Sequence, residues 1–148
     1  HYVIFGGTGF GLFAGMHYWF PKIFGRMYDK SRAKVGFWLF FIGLNATFFP
    51  MFILGMQGMP RRYYDYLPQY ADLQRLSTYG SWILFAGLIV MLGNLLAGMR
   101  SGAAVGRNPW GGATLEWITA SPPPTANFEA EPVVTKGPYD YSEVRADD

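Results

Sequence analysis

His1 and the adjacent pair Arg61-Arg62 are the residues of this chain whose type and setting could do chemistry. A neutral imidazole ligates metal ions and haem iron. At about 100° per residue, Phe5, Thr8 and Leu12 fall on the helical face of His1, a mostly apolar strip that would suit a porphyrin. A histidine at a membrane edge is more commonly solvated or hydrogen-bonded than a ligand, so from the residues alone both readings stand. His17 is the second imidazole, at the opposite end of the same apolar run, and takes the ordinary reading.

The segment Gly58-Met59-Pro60-Arg61-Arg62-Tyr63 puts two permanent positive charges directly after a long apolar stretch. Guanidinium forks suit carboxylates and phosphates. The anion they meet is therefore a bound cofactor's carboxylates or a lipid phosphate, with nothing in the sequence to separate the two. Asn45 and Thr47 are polar groups at membrane depth, where such side chains ordinarily hydrogen-bond a neighbouring helix. The remaining charges read as solvated loop faces. No Cys is present, which excludes disulfides, thiolate metal sites and Cys nucleophiles. There is no Ser–His pair, no P-loop and no acid inside a span to relay protons. One candidate ligand and one anion clamp make part of a site.

The elements that must position these groups are apolar. Of 148 residues, 51% are hydrophobic and 15% charged, against about 25% charged in a typical soluble domain. Up to Arg107 the balance is +7, and from Asn108 onward it is −5. An apolar, basic part thus precedes a polar, acidic, Pro-rich one. No basic stripe on a soluble fold points to nucleic acid. The chain begins with His, and no basic segment precedes the first apolar run, so that run is not a signal peptide. The start reads as a cut, from processing or from a missing upstream partner.

Residues 2–21, 35–60 and 76–99 contain no Asp, Glu, Lys or Arg. A bilayer core takes about 20 apolar residues per helix. The expectation is an all-α membrane protein with three transmembrane helices, at roughly 1–20, 35–56 and 78–99, within a segment 1–100. Residues 22–34 carry Lys22, Arg26, Lys30, Arg32 and Lys34 against Asp29, which sets this loop inside. His1 and the arginines then share the outer side, and the tail 101–148 is cytoplasmic. Gly7, Gly11 and Gly15 form a small-residue ridge suited to close helix contact or to a flat ligand. Pro21 should end the first span, after the interfacial Tyr18-Trp19-Phe20, and Pro50 should kink the second. Around Pro122-Pro123-Pro124 the tail should be extended, with Trp110, Leu115 and Trp117 available to pin its first part to a surface.

His1-Tyr2-Val3, Tyr18-Trp19-Phe20-Pro21-Lys22, Gly25-Arg26-Met27-Tyr28 and Phe37-Trp38 resemble subunit I of haem–copper oxidases. So do Gly43-Leu44-Asn45-Ala46-Thr47-Phe48-Phe49-Pro50, Gly58 to Tyr63, Asn108-Pro109-Trp110-Gly111, Thr114-Leu115-Glu116-Trp117 and Ser121-Pro122-Pro123-Pro124. The resemblance runs along nearly the whole chain in order, and corresponds to the last three of the family's twelve helices plus its cytoplasmic tail. Met59 before Pro60-Arg61-Arg62-Tyr63 looks more like cytochrome c oxidases than quinol oxidases.

The resemblance implies roles. In the family a His-x-His pair opens this helix, and the second His, followed by Tyr-Val, is an axial ligand of the low-spin haem. His1 matches it. The family's double Arg, matched by Arg61 and Arg62, holds haem propionates. Thr47 and Phe48 match positions close to the low-spin haem. Met51 and Phe52 stand where many members have Gln and His, so polar contacts are not carried over there. The implied activity is reduction of oxygen to water with proton pumping. It uses low-spin and high-spin haem of A type, and a copper whose ligands lie upstream of His1. The implied partners are the upstream part of subunit I, other oxidase subunits, cytochrome c and the lipid bilayer, in a bacterial inner membrane. A quinol oxidase fragment, a non-catalytic scaffold subunit derived from the family, and a transporter fragment are the alternatives. Residues 125–148 carry no assignment beyond a surface or subunit contact.

Overall fold

A computed structural model describes residues 1–128, 130–134, 137 and 140. The rest of the acidic 125–148 stretch lies outside the described residues. Three helices make up most of the chain: α1, Ile4–Phe24; α2, Lys30–Met56; and α3, Ala71–Ser101. Short 3₁₀ turns at Pro68–Tyr70 and Leu115–Trp117, and the two-residue strands β1 (Arg26–Met27) and β2 (Ala103–Ala104), complete it.

Lys30–Met56 and Pro68–Ser101 are long and apolar enough to cross a membrane. Only 33% and 28% of their most apolar stretches are buried inside the protein. Most of that apolar surface is therefore left uncovered by this chain, unlike that of the core helix of a soluble domain. At 21 residues α1 is long enough as well. Its five glycines, Thr8 and His17 nevertheless dilute its apolarity. A run without charge is not the same as an apolar run, because glycine gains little on transfer to hydrocarbon.

The chain divides into two compact units, His1–Phe13 with Lys30–Asn94, and Ala14–Asp29 with Leu95–Asp148. In the first, the N-terminal part of α1 runs antiparallel to α2. His1 meets Phe48, Phe5 meets Phe40 and Phe48, and Phe10 meets Phe37, Phe40 and Phe41. The core is Phe40, Leu44 and Met91, with Phe5, Phe10, Phe13, Phe48, Leu84 and Leu88 packed around it.

Helices α2 and α3 pack through glycines seven residues apart on each: Gly36 and Gly43 face Met91 and Leu84, and Gly80 and Gly87 face Ala46–Thr47 and Leu39–Phe40. A Cβ on Gly43 would strike the Leu84 backbone, and one on Gly80 would strike Ala46 and Thr47. Close backbone approach is what holds helices together where lipid removes the hydrophobic drive. Ser77 Oγ donates to the Thr47 carbonyl at 2.8 Å across the same contact. The ridge Gly7, Gly11 and Gly15 has open space around it instead. Its spacing looks the same in the sequence, but no helix of this chain covers it among the described residues.

Helix α2 continues through Pro50 to Met56. It ends in a Schellman turn: Met59 N–H donates to the Leu54 carbonyl (3.0 Å), and Gly58 N–H to that of Gly55 (3.1 Å). Gly58 takes the left-handed conformation this requires, with φ +86°.

In the second unit α1 runs past Pro21 to Phe24, so the expectation that Pro21 ends it is corrected. A proline removes a single N–H, and in the last turn that loss is small. The stop is Gly25, with φ +63° and its N–H on the Pro21 carbonyl at 2.9 Å.

β1 pairs antiparallel with β2, Arg26 opposite Ala104. The first part of the tail is pinned by tryptophans, as expected for Trp110 and Trp117. Trp110 Nε1 donates to the Tyr18 carbonyl (2.8 Å) and Trp117 Nε1 to the Tyr18 hydroxyl (3.0 Å). Trp117 stacks on Trp19, whereas Leu115 stays exposed.

Candidate functional site

His1 opens α1: its carbonyl accepts the Phe5 N–H at 2.9 Å and the Gly6 N–H at 3.3 Å. Its imidazole lies over the Phe48 ring of α2, centroids 5.7 Å apart and planes 4° apart. Behind it runs an open groove of about 470 Å³ lined by His1, Ile4, Phe5, Thr8, Gly9, Leu12, Phe13 and Leu88. The strip that the helical wheel assigned to His1 is one wall of this groove. Among its lining residues Thr8 and His1 alone carry side-chain polar atoms.

This donor set fits a flat apolar group bound through one axial nitrogen. Gly9 also lines the groove, and its missing side chain makes room for Phe40, which a Cβ there would meet at 3.4 Å. Among the described residues no group of three His, Cys, Asp or Glu converges as a metal centre. His1 is the one imidazole lining the groove, which is otherwise apolar enough to receive the edge of a flat ring.

Thr47 and Phe48 separate in the fold. Phe48 touches His1. Thr47 is buried and donates its hydroxyl to the Gly43 carbonyl at 2.6 Å, and it is not one of the groove residues.

Arg61 and Arg62 lie exposed on the loop after α2 and do not line the groove. Arg62 has φ +54°, a left-handed conformation uncommon outside glycine. Gln74 Nε2, on α3, brackets the pair by donating to Tyr63 Oη (2.9 Å) and Met59 Sδ (3.4 Å). Tyr70 Oη donates to the Gln57 carbonyl at 3.2 Å, fixing the start of the loop. The antiparallel order of α1 and α2 sets His1 toward the Met56 end of α2, from which this loop departs.

Two residues escaped the sequence reading. Lys22 is buried, so its place among solvated loop charges is corrected. Its ammonium donates to the carbonyls of Thr119 (2.7 Å), Arg107 (2.8 Å) and Ala120 (3.4 Å), and sits 5.2 Å from the Trp117 ring centroid. Those carbonyls take up the charge that water would otherwise solvate. Tyr28, packed edge-on against His17, has its phenol pKa pushed above the ordinary value by burial.

Fold and site together define a mostly helical chain, with two helices long and apolar enough to cross a membrane and an apolar groove that offers one imidazole. Residues 1–108 match the family model Cytochrome C and Quinol oxidase polypeptide I, and the chain belongs to that family. It is 50% identical over 141 residues to cytochrome c oxidase subunit 1 of Thermostichus vulcanus, covering 95% of this chain and 26% of the relative. It is 48% identical to the Synechocystis subunit 1, with the same coverage of each chain. Similarity extends to the heme-copper oxidase subunit I+III of Aeropyrum pernix, 43% identical over 92% of this chain and 17% of the relative. The chain thus spans about a quarter of the length of the first two relatives.

Proposed function

We propose that this chain supplies an axial ligand, His1, to a low-spin haem in the catalytic subunit of an oxygen-reducing haem–copper oxidase. The observation that carries this is the groove behind His1, whose wall is the apolar face of α1. A bound haem would supply one-electron redox chemistry on the way to oxygen reduction, its potential tuned by axial ligation and burial. His1 would hold the iron through its imidazole, Phe48 would fix the ring plane by stacking, and Phe5, Leu12 and Phe13 would exclude water. Thr47 sits one residue from the stacked ring and holds α2 on α3. Arg61 and Arg62 clamp the propionates from their loop. Gln74 sets the loop's position.

The finer assignments belong to the same proposal. Three transmembrane helices, with α1 as the first, stand as the last of a twelve-helix subunit, and the tail is cytoplasmic. The haem is of A type, and copper is held by the upstream part of the subunit. The electron donor is cytochrome c, supported by Met59 before the arginines and by the names of the relatives. The membrane is the bacterial inner membrane.

A reduced-minus-oxidised spectrum of the oxidase complex containing this chain, native and His1→Met, tests the reading. The low-spin haem band should be lost or displaced in the variant. An unchanged band would reject the ligand role and favour a scaffold subunit.

A further inference from the structure

The Asn45 side chain is held in one orientation by its own helix: Nδ2 donates to the Phe41 carbonyl at 2.8 Å. That leaves Oδ1 to accept the hydroxyl of Tyr2, the residue next to His1. Three residues further along α2, Phe48 stacks on the His1 ring. Residues three apart share a helix face, so one face of α2 grips the His1-Tyr2 dipeptide by a polar contact and an aromatic one. The His1 carbonyl is committed to α1 at the same time. Backbone, ring and neighbouring side chain are thereby each restrained, and the Tyr2–Asn45 contact is the only polar one of the three that reaches another helix.

We infer that Asn45 is a positioning residue for the His1 imidazole, acting through the Tyr2 hydroxyl to set the angle at which the ring meets the iron. Asn45 does not line the groove, and its two side-chain bonds go to Phe41 and Tyr2, so it is not itself a ligand. The inference rests on the axial role of His1. It adds that the plane of that ligand is set from α2. An imidazole with its ring plane released keeps its nitrogen, and the iron bond persists with altered orientation and strength.

The test is electron paramagnetic resonance of the oxidised low-spin haem in the assembled oxidase, with its midpoint potential. The chains compared are native, His1→Met, Tyr2→Phe, Asn45→Leu and the double variant Tyr2→Phe/Asn45→Leu. Tyr2→Phe removes one oxygen and keeps the ring, so it carries the test if Asn45→Leu does not assemble. The expected result is loss of the native signal in His1→Met. Tyr2→Phe and Asn45→Leu should keep the haem, with changed g-anisotropy and a larger high-spin fraction. The double variant should change no further than either single, because both delete one contact. Native signals and potential in Tyr2→Phe, alongside loss in His1→Met, would overturn the positioning role and leave the ligand role standing. A native signal in His1→Met would overturn both.

Discussion

The imidazole of His1 lies parallel to the ring of Phe48, 5.7 Å between centroids and 4° between planes. Two residues 47 positions apart are thus coupled where a ligand plane would have to be fixed. Phe48 also packs on Phe5, a groove residue. Phe48→Ala should therefore lower low-spin haem occupancy without abolishing it, and should destabilise α1 on α2 by about 1–3 kcal/mol, below the cost of a fully buried Phe. Haem content per assembled complex, with thermal unfolding in detergent, checks both.

Helix pairing gives a second expectation. A side chain on Gly43 would overlap the Leu84 backbone, while Gly93 on α3 has open space. Gly43→Val should cost about 1–3 kcal/mol or more through overpacking. Gly93→Ala should be neutral or gain up to about 1 kcal/mol of helix propensity. Melting followed by circular dichroism separates them, and equal effects would remove the glycine contact from the account.

How much of this was legible in the sequence varied with distance along the chain. α2 and α3 showed as charge-free runs, and the face of α1 that walls the groove followed from helical spacing beneath His1. These are local signals. α3 begins at Ala71, earlier than the apolar run suggests, because its first two turns are polar and end the loop that carries the arginines. Lys22 looked like one more basic loop residue, since its carbonyl partners lie 85 to 98 positions away. The ridge Gly7, Gly11 and Gly15 and the pairs Gly36/Gly43 and Gly80/Gly87 are equally visible as spacings. Only the register between helices decides which of them meets a partner.

The buried Lys22 gives a third expectation. Lys22→Met keeps the bulk of the stem but removes the ammonium donor from the part-buried carbonyls of Thr119 and Ala120, and leaves that of Arg107 only the longer bond from Ser121 Oγ. An unmet buried carbonyl costs about 1–3 kcal/mol. Residues 107–120 should then open more often, and limited proteolysis there should quicken by about 5- to 30-fold for a loss of 1–2 kcal/mol.

Tyr28 gives a pH dependence. Burial raises its folded-state pKa, so the folded chain keeps the phenol proton to higher pH than the unfolded chain. The stability this contributes is whole below the ordinary phenol value of about 10. It is lost as pH rises through the folded value. Ultraviolet titration should show a late phenolate step that Tyr28→Phe removes, and the variant should resist alkaline unfolding better than the native chain.

Fixed positive charge near haem carboxylates favours the reduced iron. Arg61→Gln should lower the low-spin potential, and Gln74→Leu, which frees the same loop from Met59 and Tyr63, should lower it less. A redox titration in which Arg61→Gln leaves the potential unchanged would count against the clamp.

We propose that His1 is an axial ligand of the low-spin haem, whose other axial ligand, by the resemblance to subunit I of haem–copper oxidases, is also a histidine. Near-infrared magnetic circular dichroism of the oxidised complex reads the axial pair directly. The native complex should show the band of two imidazoles, and His1→Met should move it to the position of a Met–imidazole pair or abolish it. A bis-imidazole band that persists in His1→Met would contradict the assignment.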